Sequence, residues 1–278
     1  MQENSPELWR DSLPFPKSGD NKYTRGHLLV MGGALHQTGA SRLAAMPGLR
    51  AGAGAVTIAS PPESLTVYAA HLTAIMISPV TDSRDFKNLI RERKISGIII
   101  GPGCGVTQKT AEFSLAAIES GVPTLLDADA LTVFSDKYQG GADELFKLIK
   151  DKKAKTIMTP HEGEFARLFG ELSGDRVEKA SAAAKRIGAV ILLKGHETII
   201  AAQDGEIVIN KNAPATLATA GSGDVLAGII GGLIAQGMDA FKAACAGAWM
   251  HGECANLFGI GLIAEDLPGL VPQVMRKL

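Results

Sequence analysis

The sequence has few cysteines, few aromatic residues and no surplus of positive charge. Only three of its 278 residues are cysteine, without Cys-x-x-Cys spacing, so neither a disulfide framework nor a structural zinc site is indicated. We therefore expect the reducing environment of the cytoplasm. A formal net charge of -1 offers neither nucleic acid nor an anionic membrane a basic surface, so we expect small-molecule partners.

Long hydrophobic runs are absent too. No stretch approaches the roughly 20 uninterrupted apolar residues of a membrane span, and the polar start MQENSPELWR does not resemble a secretion signal. The chain is nevertheless 46% hydrophobic, which permits a sizeable core. With no internal repeat or low-complexity linker, we predict a single domain over residues 26–278, preceded by an N-terminal extension of residues 1–25.

Strand-length apolar runs alternate with helical patterns from Gly26 to about Ile200, an order typical of βαβ units. The pattern predicts an α/β fold with a mostly parallel sheet. The runs interpreted as strands are His27–Gly33, Ala55–Ser60, Ala74–Val80, Gly97–Gly101, Thr124–Ala128, Thr156–Pro160 and Val190–Gly195. An Asp-Gly turn at Asp204 and Gly205 predicts a hairpin after them.

The helical patterns include two that are apolar or small on nearly every face, Gly223–Gln236 and Asp239–Phe258. Such stretches are buried against the sheet or against another subunit. A helix of small residues is expected from Ala40 to about Arg50, with a kink or break at Pro47. Further helices are predicted at Lys109–Ser120, Glu162–Phe169 and Arg176–Ile187, and after Pro268.

Four polar clusters directly follow predicted strands: GPGCG (Gly101–Gly105), DAD (Asp127–Asp129), PHEGE (Pro160–Glu164) and KGHET (Lys194–Thr198). Each alone is also explained as a turn that caps the next helix. Parallel strands end at one edge of the sheet, where ligands bind, so the four together predict a ligand site. No cluster fits G-x-G-x-x-G or the phosphate loop G-x-x-x-x-G-K-[ST], which disfavours a Rossmann dehydrogenase and a phosphate-loop ATPase.

The segment Ala220-Gly221-Ser222-Gly223 precedes Asp224 and a long apolar helix. Successive backbone N–H groups of these four residues, with the positive end of the helix dipole, predict an anion hole for phosphate. A carboxylate in a first helical turn is also the ordinary partner of that dipole. The glycines favour a catalytic role, in which Asp224 is the general base that takes a proton from a hydroxyl attacking a phosphoryl group.

Other polar residues allow two interpretations each. Lys194 is either a cation for a nucleotide or a lysine extending from a strand end. His161 is interpreted as a hydrogen-bonding ligand of the substrate, because no second histidine completes a zinc site. Glu164 is a candidate for holding Mg²⁺ through water, the usual mode of that ion.

Three residues near these clusters are assigned structural roles. Asp129 is most simply the N-cap of a helix that starts at Ala130. His251 lies in a buried-looking helix and is interpreted as a structural histidine. No neighbouring residue indicates a lowered thiol pKa for Cys104, which we treat as a small residue of the glycine loop.

The motifs GGALHQTGA, RAGAG, GPGCG, LDADAL, TPHEGEFARL, LLKGHETII and ATAGSGDVLAGIIGGLIAQG occur in this order. From about Gly26 to the carboxyl end, the chain thus resembles the ADP/ATP-dependent NAD(P)H-hydrate dehydratase family. The resemblance implies a three-layer αβα, ribokinase-like fold and repair of the S epimer of hydrated NADH and NADPH. In that reaction ADP or ATP phosphorylates the ring hydroxyl, and loss of phosphate restores the double bond. Mg²⁺ and a homotetramer are also implied.

The resemblance implies roles for individual residues. Asp224 matches the catalytic aspartate, which also contacts the substrate, and Gly223 matches a nucleotide contact. The positions that hold the hydrated dinucleotide correspond to Ala40, Gly103 and His161. The nucleotide-binding run corresponds to Lys194, Gly195, His196, Glu197 and Thr198.

Two other functions remain open from the sequence. One is a ribokinase-like kinase that acts on a vitamin precursor or a sugar hydroxyl and releases a stable phosphoester. The other is a nucleotide-sensing or structural subunit that uses the same cleft without turnover. The sequence also leaves open the choice between ADP and ATP and between the NADH and NADPH hydrates.

Overall fold

Ten strands form one sheet in the computed structural model, which describes residues 1–136 and 141–278. They are β1 (Gln2–Glu3), β2 (His27–Met31), β3 (Ala55–Ser60), β4 (Met76–Pro79), β5 (Gly97–Ile100), β6 (Thr124–Leu126), β7 (Thr156–Met158), β8 (Val190–Leu193), β9 (Thr198–Ala201) and β10 (Ile207–Asn210). Their order is β1-β10-β9-β8-β7-β6-β5-β2-β3-β4. Neighbours from β8 to β4 are parallel, and β9 is antiparallel to β8 and β10. The parallel sheet and the Asp-Gly hairpin are confirmed.

The helices cover both faces of the sheet. They are α1 (Thr38–Arg50), α2 (Leu65–His71), α3 (Ser83–Glu92), α4 (Gln108–Glu119), α5 (Asp129–Asp136), α6 (Gly141–Lys152), α7 (Glu162–Phe169), α8 (Arg176–Ile187), α9 (Ser222–Ala235), α10 (Ala240–Phe258) and α11 (Leu267–Met275). The two long apolar helices begin and end within about one residue of their predicted bounds. The predicted break at Pro47 is wrong, because α1 continues through it. Its ring packs where Gly228 of α9 has no side chain.

Alternate residues of the buried strands face opposite sides of the sheet. Leu28 and Val30 of β2 belong to a core shared with α1, α9, α10 and α11. Leu29 and Met31 belong to a second core formed with helices α3 to α8. Burying a leucine fully contributes about 1.5–3 kcal/mol, so both faces contribute to stability. The layers are therefore helix, sheet and helix, as predicted, and no helix of the described residues is long and apolar enough to cross a membrane.

Helices α1 and α9 lie unusually close to each other. A Cβ on Gly228 would overlap with the Ala44 carbonyl oxygen, and one on Gly232 would lie 2.5 Å from the Gly48 carbonyl oxygen. Small residues on both helices therefore allow their backbones to touch. This packing sets the position of the first turn of α9, which carries Asp224.

The strand order reverses between β2 and β5. After β2 the chain proceeds through β3 to β4, then returns to β5 on the opposite side of β2. The connections that follow β2 and β5 diverge to opposite faces, which opens a crevice beyond their carboxyl ends. The expected ligand position in such a sheet is this crevice.

Residues 1–25 contribute to the sheet and the core. β1 pairs in parallel with β10, and the Trp9 side chain is 1% exposed. The Trp9 ring packs against Trp249 of α10 with 5.7 Å between ring centroids. The predicted division at Gly26 therefore separates two parts of the chain that share one core.

Candidate active site

A cavity of about 560 Å³ opens beyond the carboxyl ends of β7 and β8. Its walls come from the loop between β8 and β9, from residues 213–219 and from the start of α9. This volume is typical of a site for a small-molecule ligand. Seven of the predicted site residues line it: His161, Lys194, Gly195, His196, Thr198, Ser222 and Gly223.

Other predicted residues have different surroundings. The Glu197 carboxylate lies 3.8 Å from Lys211 Nζ, and the Glu197 carbonyl oxygen accepts a hydrogen bond from Arg176. Ala220 is exposed, and Gly221 is the N-cap of α9 with a φ of 83°. That left-handed conformation favours glycine. Gly221 thus shapes the helix start.

The first turn of α9 carries positive potential into the cavity. Among the described residues no side chain caps this helix. The Ser222 N–H donates to the Thr219 carbonyl oxygen at 3.4 Å, so one of the four predicted amide groups is engaged within the protein. Gly223 lines the cavity, and a Cβ on it would lie 3.7 Å from Lys194 Nζ. The helix dipole and the ammonium group therefore act on the same place.

Asp224 is half-buried in the same turn. Burial first, and then the negative charge of Asp127, raise the pKa of its carboxyl group, and Lys194 opposes them, so that the pKa is about 7. Asp129 adds a smaller upward effect. A base whose pKa lies near neutral pH is suited to accept a proton and to release it again.

The main residue that sequence reasoning missed is Asp127. Its carboxylate, 2% exposed, accepts a hydrogen bond from Lys194 Nζ at 2.8 Å and another from the Thr159 hydroxyl at 2.8 Å. A buried carboxylate is stable only when paired and hydrogen-bonded, and Asp127 meets both conditions. It holds Lys194 in the wall of the cavity. The DAD motif placed two aspartates at the predicted ligand site, but the sequence did not show which of them contacts Lys194.

The structure corrects the interpretation of Asp129. This residue is the first of α5 and not its N-cap, and its carboxylate accepts a hydrogen bond from the Gly105 N–H at 2.7 Å. Burial raises the pKa of Asp129. The side chain therefore connects α5 to the glycine loop after β5, a long-range contact that local sequence does not reveal.

His161 is the N-cap of α7. Its Nδ1 accepts hydrogen bonds from the N–H groups of Gly163 and Glu164, at 3.0 and 3.2 Å. In the neutral ring the proton is therefore on Nε2, which leaves that nitrogen as a donor. His161 lines the Lys194 cavity, whereas the other two predicted substrate positions, Ala40 and Gly103, lie at the crevice between β2 and β5.

Glu164 was the candidate magnesium residue. It is 7% exposed, its Oε2 accepts from the His161 N–H at 2.8 Å, and its Oε1 lies 3.5 Å from His161 Nε2. Within residues 1–136 and 141–278, no group of three or more His, Cys, Asp or Glu side chains is arranged to hold a metal. Both carboxylate oxygens of Glu164 are therefore engaged with His161, and a contact to Mg²⁺ through water stays a prediction.

The β2–β5 crevice is built from close backbone contacts. A Cβ on Gly33 would overlap with the Gly103 carbonyl oxygen, and a Cβ on Gly103 would lie 3.1 Å from the Ala40 Cβ. A second cavity of about 440 Å³ lies beside this crevice, with Gly32 and Cys104 in its wall, although Gly33, Ala40 and Gly103 do not line it. The charge of Asp224 acts on both Cys104 and Lys194, so this carboxylate lies within electrostatic range of both cavities.

Cys104 and His251 are the two remaining residues that were assigned structural roles, and His251 lies buried in the wall of the Lys194 cavity. His251 Nε2 lies 3.2 Å from the Ser222 hydroxyl, and burial lowers the pKa of His251 to about 4, so the ring is neutral. Burial raises the pKa of the Cys104 thiol to about 12, which keeps it protonated and unreactive. Its sulfur accepts a hydrogen bond from the Gly101 N–H.

Comparison with known proteins identifies the relatives of this chain. A family model described as NAD(P)H-hydrate dehydratase matches residues 28–264. The chain is 36% identical to the ADP-dependent (S)-NAD(P)H-hydrate dehydratase of Neisseria meningitidis, over 99% of this chain and 94% of that protein. It is also 36% identical to a bifunctional NAD(P)H-hydrate repair enzyme of Moorella thermoacetica, of which it covers 53%.

Solved structures show the same fold. The ADP/ATP-dependent NAD(P)H-hydrate dehydratase of Bacillus subtilis, co-crystallised with ATP and Mg²⁺, has a TM-score of 0.84 at 28% identity, over 99% of this chain and 98% of that one. A ribokinase-like superfamily protein of Enterococcus faecalis has a TM-score of 0.78 at 22% identity, over 96% and 94% of the two chains. The ribokinase-like fold is confirmed.

Proposed function

This chain belongs to the NAD(P)H-hydrate dehydratase family, and on that premise we propose that it repairs the S epimer of hydrated NADH and NADPH with ADP or ATP as phosphoryl donor. The observation that carries the proposal is the placement of Asp224. Its carboxylate stands in the first turn of α9, within electrostatic range of both cavities, with a pKa raised to about 7. The Neisseria relative is named as ADP-dependent and the Bacillus relative as ADP/ATP-dependent.

In the proposed reaction the nucleotide occupies the Lys194 cavity and the hydrated nicotinamide ring the β2–β5 crevice. Asp224 accepts the proton of the ring hydroxyl while the hydroxyl oxygen attacks the terminal phosphoryl group of the nucleotide. The bond between that phosphorus and the bridging oxygen of the nucleotide breaks. The carbon–oxygen bond then breaks and phosphate leaves with the electron pair. Loss of a proton from the adjacent ring carbon restores the double bond.

The proposed roles of the other residues follow from charge and position. Lys194, Gly195, His196, Thr198 and Gly223 bind the nucleotide, with Glu197 contributing through the path of its backbone. The amide groups of Ala220, Gly221 and Gly223 receive phosphate oxygens, whereas that of Ser222 is engaged with Thr219. Ala40, Gly103 and His161 remain the proposed substrate contacts. Ala40 and Gly103 lie at the β2–β5 crevice, whereas His161 donates a hydrogen bond from Nε2 within the Lys194 cavity.

We propose Mg²⁺ as the metal ion of the nucleotide site, because the Bacillus relative was co-crystallised with ATP and Mg²⁺. The ion supplies positive charge that neutralises the phosphate oxygens. Glu164 is the residue of this chain that would hold it, through water. Lys194 supplies a second, permanent positive charge because Asp127 keeps its ammonium group in place and raises its pKa.

The direct test incubates the protein with acid-hydrated NADH and either ADP or ATP. We expect the near-ultraviolet absorbance of the reduced nicotinamide to return and phosphate to be released in equal amount. Accumulation of a stable phosphoester would instead establish a kinase. Nucleotide binding without either product would establish a sensing or structural subunit.

The oligomeric state and location are further parts of the proposal. The end of α10 and the residues after it expose Phe258 (43%), Ile260 (97%) and Ile263 (51%), apolar area that is available for contact between copies. We propose a homotetramer, which sedimentation velocity measures directly. The three cysteines are free, which supports a cytoplasmic location. Cell fractionation tests it.

A further inference from the structure

A chain of hydrogen-bonded amide side chains, two of them buried, connects the N-terminal segment to the region of the nucleotide cavity. The indole N–H of Trp9 donates to Asn4 Oδ1 at 3.0 Å. Asn4 Nδ2 donates to Asn210 Oδ1 at 2.8 Å and to the Cys245 carbonyl oxygen at 2.7 Å. Asn210 Nδ2 then donates to Asn212 Oδ1 at 2.9 Å. Four side chains, separated by up to 208 residue positions from Asn4 to Asn212, thus form one continuous series.

Asn212 connects this series to α10 and to the cavity wall. Its Nδ2 donates to the Trp249 carbonyl oxygen at 2.9 Å and to Glu253 Oε1 at 3.1 Å. The next residue, Ala213, begins the segment 213–219 that lines the nucleotide cavity. The end of the amide series and the start of that wall are therefore adjacent residues.

The series has a single arrangement of donors and acceptors. Each asparagine oxygen accepts and each asparagine nitrogen donates, so none of the three amides can flip without losing bonds. Asn4 is 6% exposed and Asn210 is 1% exposed. A buried amide that loses its hydrogen-bond partner cannot bind water instead, so its desolvation is not compensated. Displacement of these asparagine side chains is therefore unfavourable.

The cavity wall itself has mainly local hydrogen bonds. The N–H groups of Leu217 and Ala218 donate to carbonyl oxygens three residues earlier, and that of Thr219 donates to Leu217. Such bonds fix the shape of a segment but not its position relative to the rest of the protein. At its start the segment 213–219 is held to α10 by the hydrogen bonds of Asn212, and at its end it continues into α9.

We propose that Asn4, Asn210 and Asn212 are positioning residues of the nucleotide site, which makes the N-terminal segment a working part of that site. They fix the position of the start of the wall 213–219 relative to α10, although none of the three lines the cavity. The inference rests on the proposed assignment of this cavity to the nucleotide.

The test measures the Kd of ADP and of ATP by calorimetry for Asn212→Ala, Asn4→Ala and Trp9→Phe, together with the Tm of each. If these residues position the cavity wall, the increase in Kd should be larger for substitutions closer to the wall 213–219. We expect about five- to tenfold weaker binding for Asn212→Ala, less for Asn4→Ala and least for Trp9→Phe. The Tm should follow burial instead, with the larger loss for Asn4→Ala, because Asn4 is buried and Asn212 is partly exposed. In turnover, the nucleotide KM should rise while kcat changes little.

Thr57→Val is the matched control. The Thr57 side chain is buried near the amino ends of β2 and β3, where its hydroxyl lies 2.8 Å from His27 Nε2. The substitution preserves shape and removes a buried hydrogen bond far from the cavity. We expect a lower Tm with unchanged Kd values.

Kd losses that simply parallel the Tm losses, in Thr57→Val as well, would overturn the positioning role. So would unchanged Kd values in all three series variants. If Asn4→Ala fails to fold, Asn212→Ala and Trp9→Phe still provide the order of effects. Failure of the proposed function is seen separately, because the wild-type protein would then bind neither nucleotide or would not restore NADH.

Discussion

The two halves of the site are built by different means. The β2–β5 crevice depends on missing side chains, since Gly33 and Gly103 allow one loop to touch the other. The Lys194 cavity depends on charge, since Asp127 and Asp224 raise the pKa of Lys194, and Asp127 and Lys194 act in opposite directions on the pKa of Asp224. Binding in the β2–β5 crevice should therefore be sensitive to added side-chain atoms, whereas catalysis at the Lys194 cavity should be sensitive to the removal of charged groups.

The most severe test of the charged half is Asp224→Asn. Removing the general base should lower kcat about 10²–10⁴-fold, because the asparagine amide cannot accept the hydroxyl proton. Steady-state rates with hydrated NADH measure the loss, and circular dichroism checks that the fold is retained. A variant with full turnover would remove Asp224 from the mechanism and end the distinction between the halves.

The corresponding test of the crevice is Gly33→Ala. The new methyl group would overlap with the Gly103 carbonyl oxygen, so we expect about 1–3 kcal/mol of destabilisation and a KM for the hydrated dinucleotide raised roughly tenfold. Gly39→Ala is the matched control, since a Cβ there meets no described atom within 4 Å. Equal effects of the two substitutions would contradict the role assigned to the close contact.

Asp127→Asn should change the pH profile. The carboxyl group of Asp224 must be ionised to act as a base, and its pKa of about 7 places the acid limb of kcat/KM near neutral pH. Removing the negative charge of Asp127 lowers the pKa of Asp224, so the limb should move to lower pH by about one unit. The nucleotide KM should rise because Lys194 loses its anchor. An unmoved acid limb would show that Asp127 does not tune Asp224.

The smallest expected effect is on stability. Because the folded-state pKa of Asp224 is raised from 3.8 to about 7, ionisation of this group disfavours the folded state. Its unfavourable contribution grows as pH rises from about 4 to 7 and is constant above that range. Asp224→Asn should therefore be more stable than wild type at pH 8, by about 1–3 kcal/mol after allowance for partial exposure, and nearly equal at pH 4. Denaturant unfolding at both pH values measures the difference, and a pH-independent difference would argue against the raised pKa.

Sequence patterns predicted the parts of the molecule that depend on near neighbours. Alternating apolar runs gave the parallel strands, and α7 has the predicted bounds, Glu162–Phe169. The helix predicted from Gly223 begins at Ser222, one residue earlier. Each of these features depends on residues that are close together in the sequence, so hydrophobic periodicity and the residues at helix ends predict it.

Pairings between distant residues were not predicted. Asp127 and Lys194 are 67 residues apart, and only the sheet brings them to 2.8 Å. Asp129 was misassigned for the same reason, because Gly105 is 24 residues before it. The amide series was missed because an isolated asparagine has the same local pattern in a loop and in a core. Which polar residue is paired depends on strand order, and single-sequence patterns do not determine strand order.

The pairing of β1 with β10 has a consequence for biosynthesis. Asn4 and Asn210 are separated by 206 residues, so the first strand has no partner until most of the chain has left the ribosome. At about 5–20 residues per second, that interval lasts on the order of ten seconds or more. During it the amino terminus must remain unpaired without sticking to neighbouring chains. β1 therefore pairs with β10 only near the end of translation. Contacts between residues so far apart in sequence form slowly.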